Sequence, residues 1–161
     1  FLYNIIALII FFIGSLSDAL DGYIARKYKY TTVLGKYLDP VADKILILSG
    51  FFVMSIYYPD HIKLWMIFLI LFRDIFISIF RLIFLRNNKV IQTSYLAKIK
   101  TFYQIILIHI ILILHTFSPD YISSIKIFNL NFIYLSMLLC VFYTLFTGYD
   151  YVIRNIRNIN D

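Results

Sequence analysis

Four aspartates punctuate residues 18–43 in the arrangement Asp18-x2-Asp21-Gly22-x2-Ala25-Arg26-x8-Gly35-x3-Asp39-x3-Asp43. Asp18 and Asp21 are three residues apart and Asp39 and Asp43 four apart, so each pair shares one face of a helix. Their surroundings are strongly apolar, with Ile, Leu, Phe and Tyr filling whole turns of 45–58 and 64–72. Carboxylates are costly in such a setting and are usually functional where they occur. Four like charges drawn together need cations between them. Two divalent ions would neutralise the set, and an all-carboxylate ligand shell suits hard Mg²⁺ or Mn²⁺ and disfavours Zn²⁺. Ions paired in this way clamp phosphoryl oxygens during displacement. Gly22 and Gly35 remove side chains where a pyrophosphate could press on backbone, and Arg26 offers a fork for a phosphate oxygen. The competing structural reading has the aspartates capping helix ends and pairing with Arg26, Lys27 and Lys44. It accounts for any one aspartate more readily than for all four with both glycines and the arginine.

The elements that must hold these residues are membrane helices. The 161 residues are 61% hydrophobic and 15% charged, with a mean hydropathy of +0.83, which excludes a disordered chain and an ordinary soluble domain. The expected fold is an all-α integral membrane protein. A spanning helix needs about 20 mainly apolar residues, and five segments qualify: 1–26, 36–58, 63–86, 98–117 and 130–152. Turn chemistry separates them at 28–32, Tyr58-Pro59-Asp60, Asn87-Asn88 and Ser118-Pro119-Asp120. No repeat and no polar linker divides the chain, so 1–161 reads as one domain. The lone Cys140 sits in an apolar run and cannot form an internal disulfide.

Basic residues set the orientation. Arg26, Lys27, Lys29, Lys36, Arg86, Lys89, Lys98, Lys100, Arg154 and Arg157 flank one side, against Lys63 and Lys126 on the other, as the positive-inside rule requires of a cytoplasmic face. Residue 1 then starts on the far side, inside a hydrophobic run and without a Met. This is the pattern of an N-terminally truncated domain with one more helix upstream, six when intact and five present. The flanking cations suit anionic lipid head groups; they form no patch for a nucleic acid. The short connection after residue 26 makes the first two helices antiparallel neighbours. Both aspartate pairs then meet at one depth, near the cytoplasmic boundary.

Residues 18–43 match, without a departure, the signature of the CDP-alcohol phosphatidyltransferases, and the chain resembles that family on these eight fixed positions. The resemblance implies a six-helix membrane bundle, usually a homodimer, in the cytoplasmic (inner) membrane. It also implies a dinuclear site at the cytosolic surface, where the phosphatidyl group of a CDP-lipid moves to an alcohol and CMP leaves. By position, Asp18, Asp21 and Asp39 would bind a first metal, and Asp18, Asp39 and Asp43 a second, with Asp43 also the general base. Gly22, Arg26 and Thr32 match positions that contact the CDP-lipid, and Gly35 joins them by the backbone argument above. In relatives, the helix missing here contributes part of that pocket.

Segments 72–81, 93–101 and 143–151 resemble bacterial members whose acceptor is glycerol 3-phosphate and whose donor is CDP-diacylglycerol. Those relatives usually carry Glu where this chain has Asp74. The residues themselves favour an anionic acceptor, because Arg73 and Arg81 lie within a span and Lys98 and Lys100 open the next one from the cytoplasmic side. These four are the expected acceptor-phosphate ligands. The alternatives are an internal ion pair of Arg73 with Asp74 or Asp150, and a Lys100 that snorkels to head groups. His61, His109 and His115 have no carboxylate or Cys at ligand spacing. Two other functional readings are the same chemistry on another acceptor, phosphatidylglycerol or a polyol phosphate, and a divalent-cation transporter. Transport calls for carboxylates near mid-bilayer and has no need of Gly22, Arg26 or Gly35.

Overall fold

The computed structural model describes the backbone of residues 1–28, 33–86, 95–124, 126–127 and 130–160. Side chains are described for these except 18–19, 21–28, 33–43, 85–86, 95, 121, 123–124, 126–127, 130 and 156–160. The chain runs α1 (Leu2–Tyr28), α2 (Val33–Tyr57), α3 (Leu64–Arg86), α4 (Tyr95–Phe117), α5 (Pro119–Ser124), β1 (Lys126–Ile127), β2 (Leu130–Asn131) and α6 (Phe132–Asn160). The five long helices are the five predicted segments. Each has 23 to 29 residues, about 35–44 Å of rise and enough to cross the roughly 30 Å hydrocarbon layer.

Several ends differ from expectation: α2 starts at Val33, α4 at Tyr95, and α6 continues to Asn160. Hydropathy marks only the membrane-grade part of a helix, whereas Lys and Arg are good helix formers that carry it through a polar flank. The connection from α4 to α6 was expected as a turn. It instead forms the six-residue α5, with Pro119 at its first position where a missing N–H costs nothing, and a two-rung antiparallel ladder pairing Lys126 with Asn131 and Ile127 with Leu130.

Packing centres on α4, which contacts α1, α2 and α6; α6 also lies along α3, and α2 also touches α1 and α3. Phe51, Met66, Ile108, Ile111, Ile133 and Met137 are fully enclosed between these helices. Gly50 lets three helices close together, since a Cβ there would lie 3.1 Å from both Phe11 of α1 and Ile108 of α4. The outward surface is apolar as well. Phe68, Phe72 and Phe76 are exposed and belong to a ladder of stacked rings at i,i+4 spacing that continues through Phe80 and Phe84. An apolar exterior around an apolar core is what a lipid solvent selects. Leu96–Phe117 and Phe132–Asn155 are apolar along a full bilayer-crossing length. The equally long α3 is interrupted by Arg73, Asp74 and Arg81.

Candidate active site

The side chains of Asp18, Asp21, Asp39 and Asp43 lie outside the described residues, but the helices carrying them do not. Phe11 meets Gly50 and Gly14 meets Leu46, so the contact climbs α1 as it descends α2 and the two helices are antiparallel. That register steps three residues forward on α1 for four back on α2. Continued toward the connection at 29–32, it brings the backbone of Asp18 and Asp21 on α1 to within about one turn of the level of Asp39 and Asp43 on α2. Asp18 stands ten residues before the end of α1 and Asp43 ten after the start of α2, about 15 Å along each helix. Four formal negative charges on two touching helices match two hard divalent ions in charge and in ligand type. Gly22, Arg26 and Gly35 occupy helical backbone positions around this level, the Arg26 side chain being outside the described residues; Thr32 is outside them altogether.

Directly after Asp43, the Lys44 side chain crosses to α3. Its Nζ donates to the Asp74 carbonyl oxygen at 3.1 Å and to Ser78 Oγ, while Ser78 Oγ donates to the same carbonyl at 2.7 Å. This contact levels Asp43 with the middle of α3.

Asp74 is the hub of a buried ionic cluster. Its Oδ1 accepts from Arg73 Nη1 at 2.9 Å, and Lys100 Nζ from α4 reaches Oδ1 at 2.7 Å and Oδ2 at 2.9 Å. Arg73 Nη2 continues to Thr147 Oγ1 on α6 at 3.1 Å. Gly148 gives the guanidinium room: a Cβ there would sit 2.9 Å from Arg73 Nε. Below it, Gln104 Nε2 donates to Thr144 Oγ1 at 3.3 Å. Thr144, Thr147, Gly148, Tyr151 and Asn155 fall at helical spacing on the face of α6 toward α3 and α4, a stripe of small and polar groups in an otherwise apolar span. Charges at this depth persist only when paired.

The four expected acceptor ligands therefore divide. Arg73 and Lys100 are buried and paired with Asp74; of the two partners weighed for Arg73 the structure takes Asp74, and Lys100 turns inward where a snorkelling side chain would turn outward. Arg81 is partly exposed about two turns further along α3, toward its C-terminal end, with Nε 3.4 Å from Tyr151 Oη. Lys98 is exposed at the start of α4. Asp150 pairs with Arg154 at 2.8 Å, leaving a buried Oδ2 without a partner among the described residues.

The histidines sit elsewhere. His115 Nδ1 and Tyr58 Oη are 2.7 Å apart by the C-terminal ends of α2 and α4, and His109 Nδ1 lies 2.8 Å from the Ile105 carbonyl oxygen. His61, in the α2–α3 turn, is held below its ordinary pKa by burial, with Asp60 acting to raise it and Lys63 to lower it. Sequence reasoning missed Ser78, Thr147 and Gly148, and weighed Lys44 only as a partner for the aspartates. The available signals were a lysine inside a span and small polar residues at i+3 and i+4 on α6.

A family model for CDP-alcohol phosphatidyltransferase matches residues 2–148. The chain belongs to the CDP-alcohol phosphatidyltransferase family. The family is one of membrane proteins and is generally dependent on divalent cations. Among its relatives, a Bacillus subtilis (strain 168) protein named CDP-diacylglycerol–glycerol-3-phosphate 3-phosphatidyltransferase is 33% identical over 147 residues, covering 91% of this chain and 72% of that protein. A probable phosphatidylglycerophosphate synthase of Mycobacterium tuberculosis (strain ATCC 25618 / H37Rv) is 32% identical over 156 residues, covering 97% and 68% respectively. A Blochmanniella floridana protein with the same name as the Bacillus relative is 36% identical over 104 residues, covering 61% and 53%.

Proposed function

We propose that this chain transfers the phosphatidyl group of CDP-diacylglycerol to the primary hydroxyl of sn-glycerol 3-phosphate, giving phosphatidylglycerophosphate and CMP. The supporting observation is the eight-position aspartate signature, carried on two antiparallel helices in contact, in a chain whose relatives bear the name of this reaction. The donor lies with its acyl chains in lipid and its nucleotide end toward the cytoplasm, against Gly22, Arg26, Thr32 and Gly35. Arg81 and Lys98 hold the phosphate of the acceptor, within reach of the cytosol. Arg73 and Lys100 back that pocket through Asp74, keeping positive charge beneath it.

Asp43 takes the proton from the acceptor hydroxyl as its oxygen bonds to the lipid-side phosphorus. The bond from that phosphorus to the bridging oxygen of the pyrophosphate breaks, and the electron pair leaves with CMP. Asp18, Asp21, Asp39 and Asp43 would hold two Mg²⁺ or Mn²⁺ ions, which when bound offset negative charge on the phosphoryl oxygens. The site faces the cytoplasm from the cytoplasmic membrane, a reading supported by the ten-to-two distribution of flanking cations, and the homodimer is what the family resemblance implies.

The test is CMP release from CDP-diacylglycerol with glycerol 3-phosphate, phosphatidylglycerol, inositol phosphate or serine supplied separately. Glycerol 3-phosphate should support turnover well above the others. Turnover with phosphatidylglycerol alone would assign the cardiolipin-forming variant of the chemistry. No CMP with any acceptor would remove the reading.

A further inference from the structure

Asp43 and Lys44 are consecutive, yet the described contacts of Lys44 go to α3. A lysine within an apolar helix must find hydrogen-bond acceptors, and among the described residues Lys44 reaches the Asp74 carbonyl oxygen and Ser78 Oγ, themselves bonded to each other. Asp74 is also where α4 and α6 are tied in, through Lys100 directly and through Arg73 to Thr147. One residue thus keys four helices together, and Lys44 is the thread to α2. Successive residues on a helix are separated by 100°. A fixed Lys44 therefore fixes the rotation and height of α2 at the neighbouring Asp43 and constrains them about one and a half turns away at Asp39. Gly14 against Leu46 and Gly50 against Phe11 pack α2 on α1, and the Lys44 clip adds a tie from α2 to α3 next to Asp43.

We propose that Lys44 is a positioning residue for the acidic site, acting through its clip onto Asp74 and Ser78 to set where Asp39 and Asp43 stand opposite Asp18 and Asp21. This rests on the reading of those four aspartates as the divalent-ion site. Because the clip runs through hydrogen bonds to Ser78 Oγ and the Asp74 carbonyl oxygen, replacing Ser78 should echo replacing Lys44 even though no charge is removed.

The experiment is Mn²⁺ titration of the purified, substrate-free protein in detergent. Free Mn²⁺ is followed by electron paramagnetic resonance, with thermal unfolding recorded on the same samples. Lys44→Met should weaken Mn²⁺ binding at least tenfold, and Ser78→Ala about two- to fivefold, with unfolding temperatures close to the parent's. Lys63→Met, in the outer turn, should bind Mn²⁺ as the parent does. The metal dependence of CMP release should shift by the same factors. A role confined to stability would instead lower the unfolding temperature and leave the Mn²⁺ constant alone, and that result would overturn the proposal. Should Lys44→Met fail to fold, parent-like Mn²⁺ binding by Ser78→Ala would overturn it equally. Asp39→Asn and Asp43→Asn separate the two levels: if they bind Mn²⁺ like the parent, the metal-site reading fails and takes the proposal with it. If they lose Mn²⁺ while both clip variants keep it, only the role of Lys44 is wrong.

Discussion

Replacing Asp74 by Asn removes the one carboxylate shared by Arg73 and Lys100 while keeping its size. The three side chains are 6–9% exposed, so solvent can neither screen the cations nor replace the lost anion. Deleting one partner of a buried ion pair costs about 3–5 kcal/mol, because a charge is left uncompensated. Here Asn keeps one carbonyl oxygen for Lys100 or Arg73, and Arg73 keeps Thr147 Oγ1 at 3.1 Å, so the lower end, about 3 kcal/mol, is expected. That is roughly a hundredfold change in the folded-to-unfolded ratio at about 1.4 kcal/mol per decade. The assay is reversible unfolding with sodium dodecyl sulfate in mixed micelles, followed by the fluorescence of Trp65, the single tryptophan. Asp60→Asn is the reference: its pair with Lys63 is 3.4 Å long and its side chain 89% exposed, so a change of about 0.5 kcal/mol or less is expected. Adding Lys100→Met to Asp74→Asn should be milder than the two single losses combined, by about 1–2 kcal/mol. An Asp74→Asn protein as stable as Asp60→Asn would refute the reasoning that this cluster holds α3, α4 and α6 together.

Further outcomes follow from other contacts. Gly148→Ala places a methyl 2.9 Å from Arg73 Nε; displacing the buried guanidinium should cost about 1–3 kcal/mol in the same unfolding assay, and a neutral result would show that α6 yields freely. Arg81→Met and Lys98→Met should each raise KM for glycerol 3-phosphate about tenfold or more with a smaller change in KM for CDP-diacylglycerol; equal effects on both substrates would deny them the acceptor phosphate. For topology, a cysteine introduced at position 60 should react with an impermeant thiol reagent applied outside intact cells, and one at position 27 only after permeabilisation. Cys140 is 1% exposed and should contribute little background; the reverse labelling pattern would invert the orientation.

The helices were legible because long apolar runs make a blunt pattern, and α1, α2, α3, α4 and α6 appear where those runs lie. Their polar ends were less so, since hydropathy falls off at Lys36, Lys98 and Arg154 while the helix continues. The connection at 118–131 was too short and mixed in composition to announce either α5 or its two-rung ladder. For the candidate site, spacing puts each aspartate pair on one helix face, and the contacts at Phe11–Gly50 and Gly14–Leu46 add that the two helices run antiparallel and touch.

The ionic hub at Asp74 was harder to see. A guanidinium and an ammonium in a span demand an anion, and sequence does not say whether that anion is a substrate phosphate or an aspartate from the next residue. Only the relative rotation of α3, α4 and α6 settles it, and that rotation depends on Gly148 allowing Arg73 past. Lys44 was ambiguous for the same reason: four carboxylates lie within its sequence neighbourhood, yet its described partners belong to a helix thirty residues away.

The most direct measurement is the number and coupling of Mn²⁺ ions bound per chain in the substrate-free protein, by isothermal titration and electron paramagnetic resonance. Two ions per chain with a spin-coupled spectrum, abolished in Asp39→Asn and Asp43→Asn, are the expected outcome. A single isolated ion, no ion at all, or two ions indifferent to those substitutions would contradict a shared carboxylate cradle between α1 and α2.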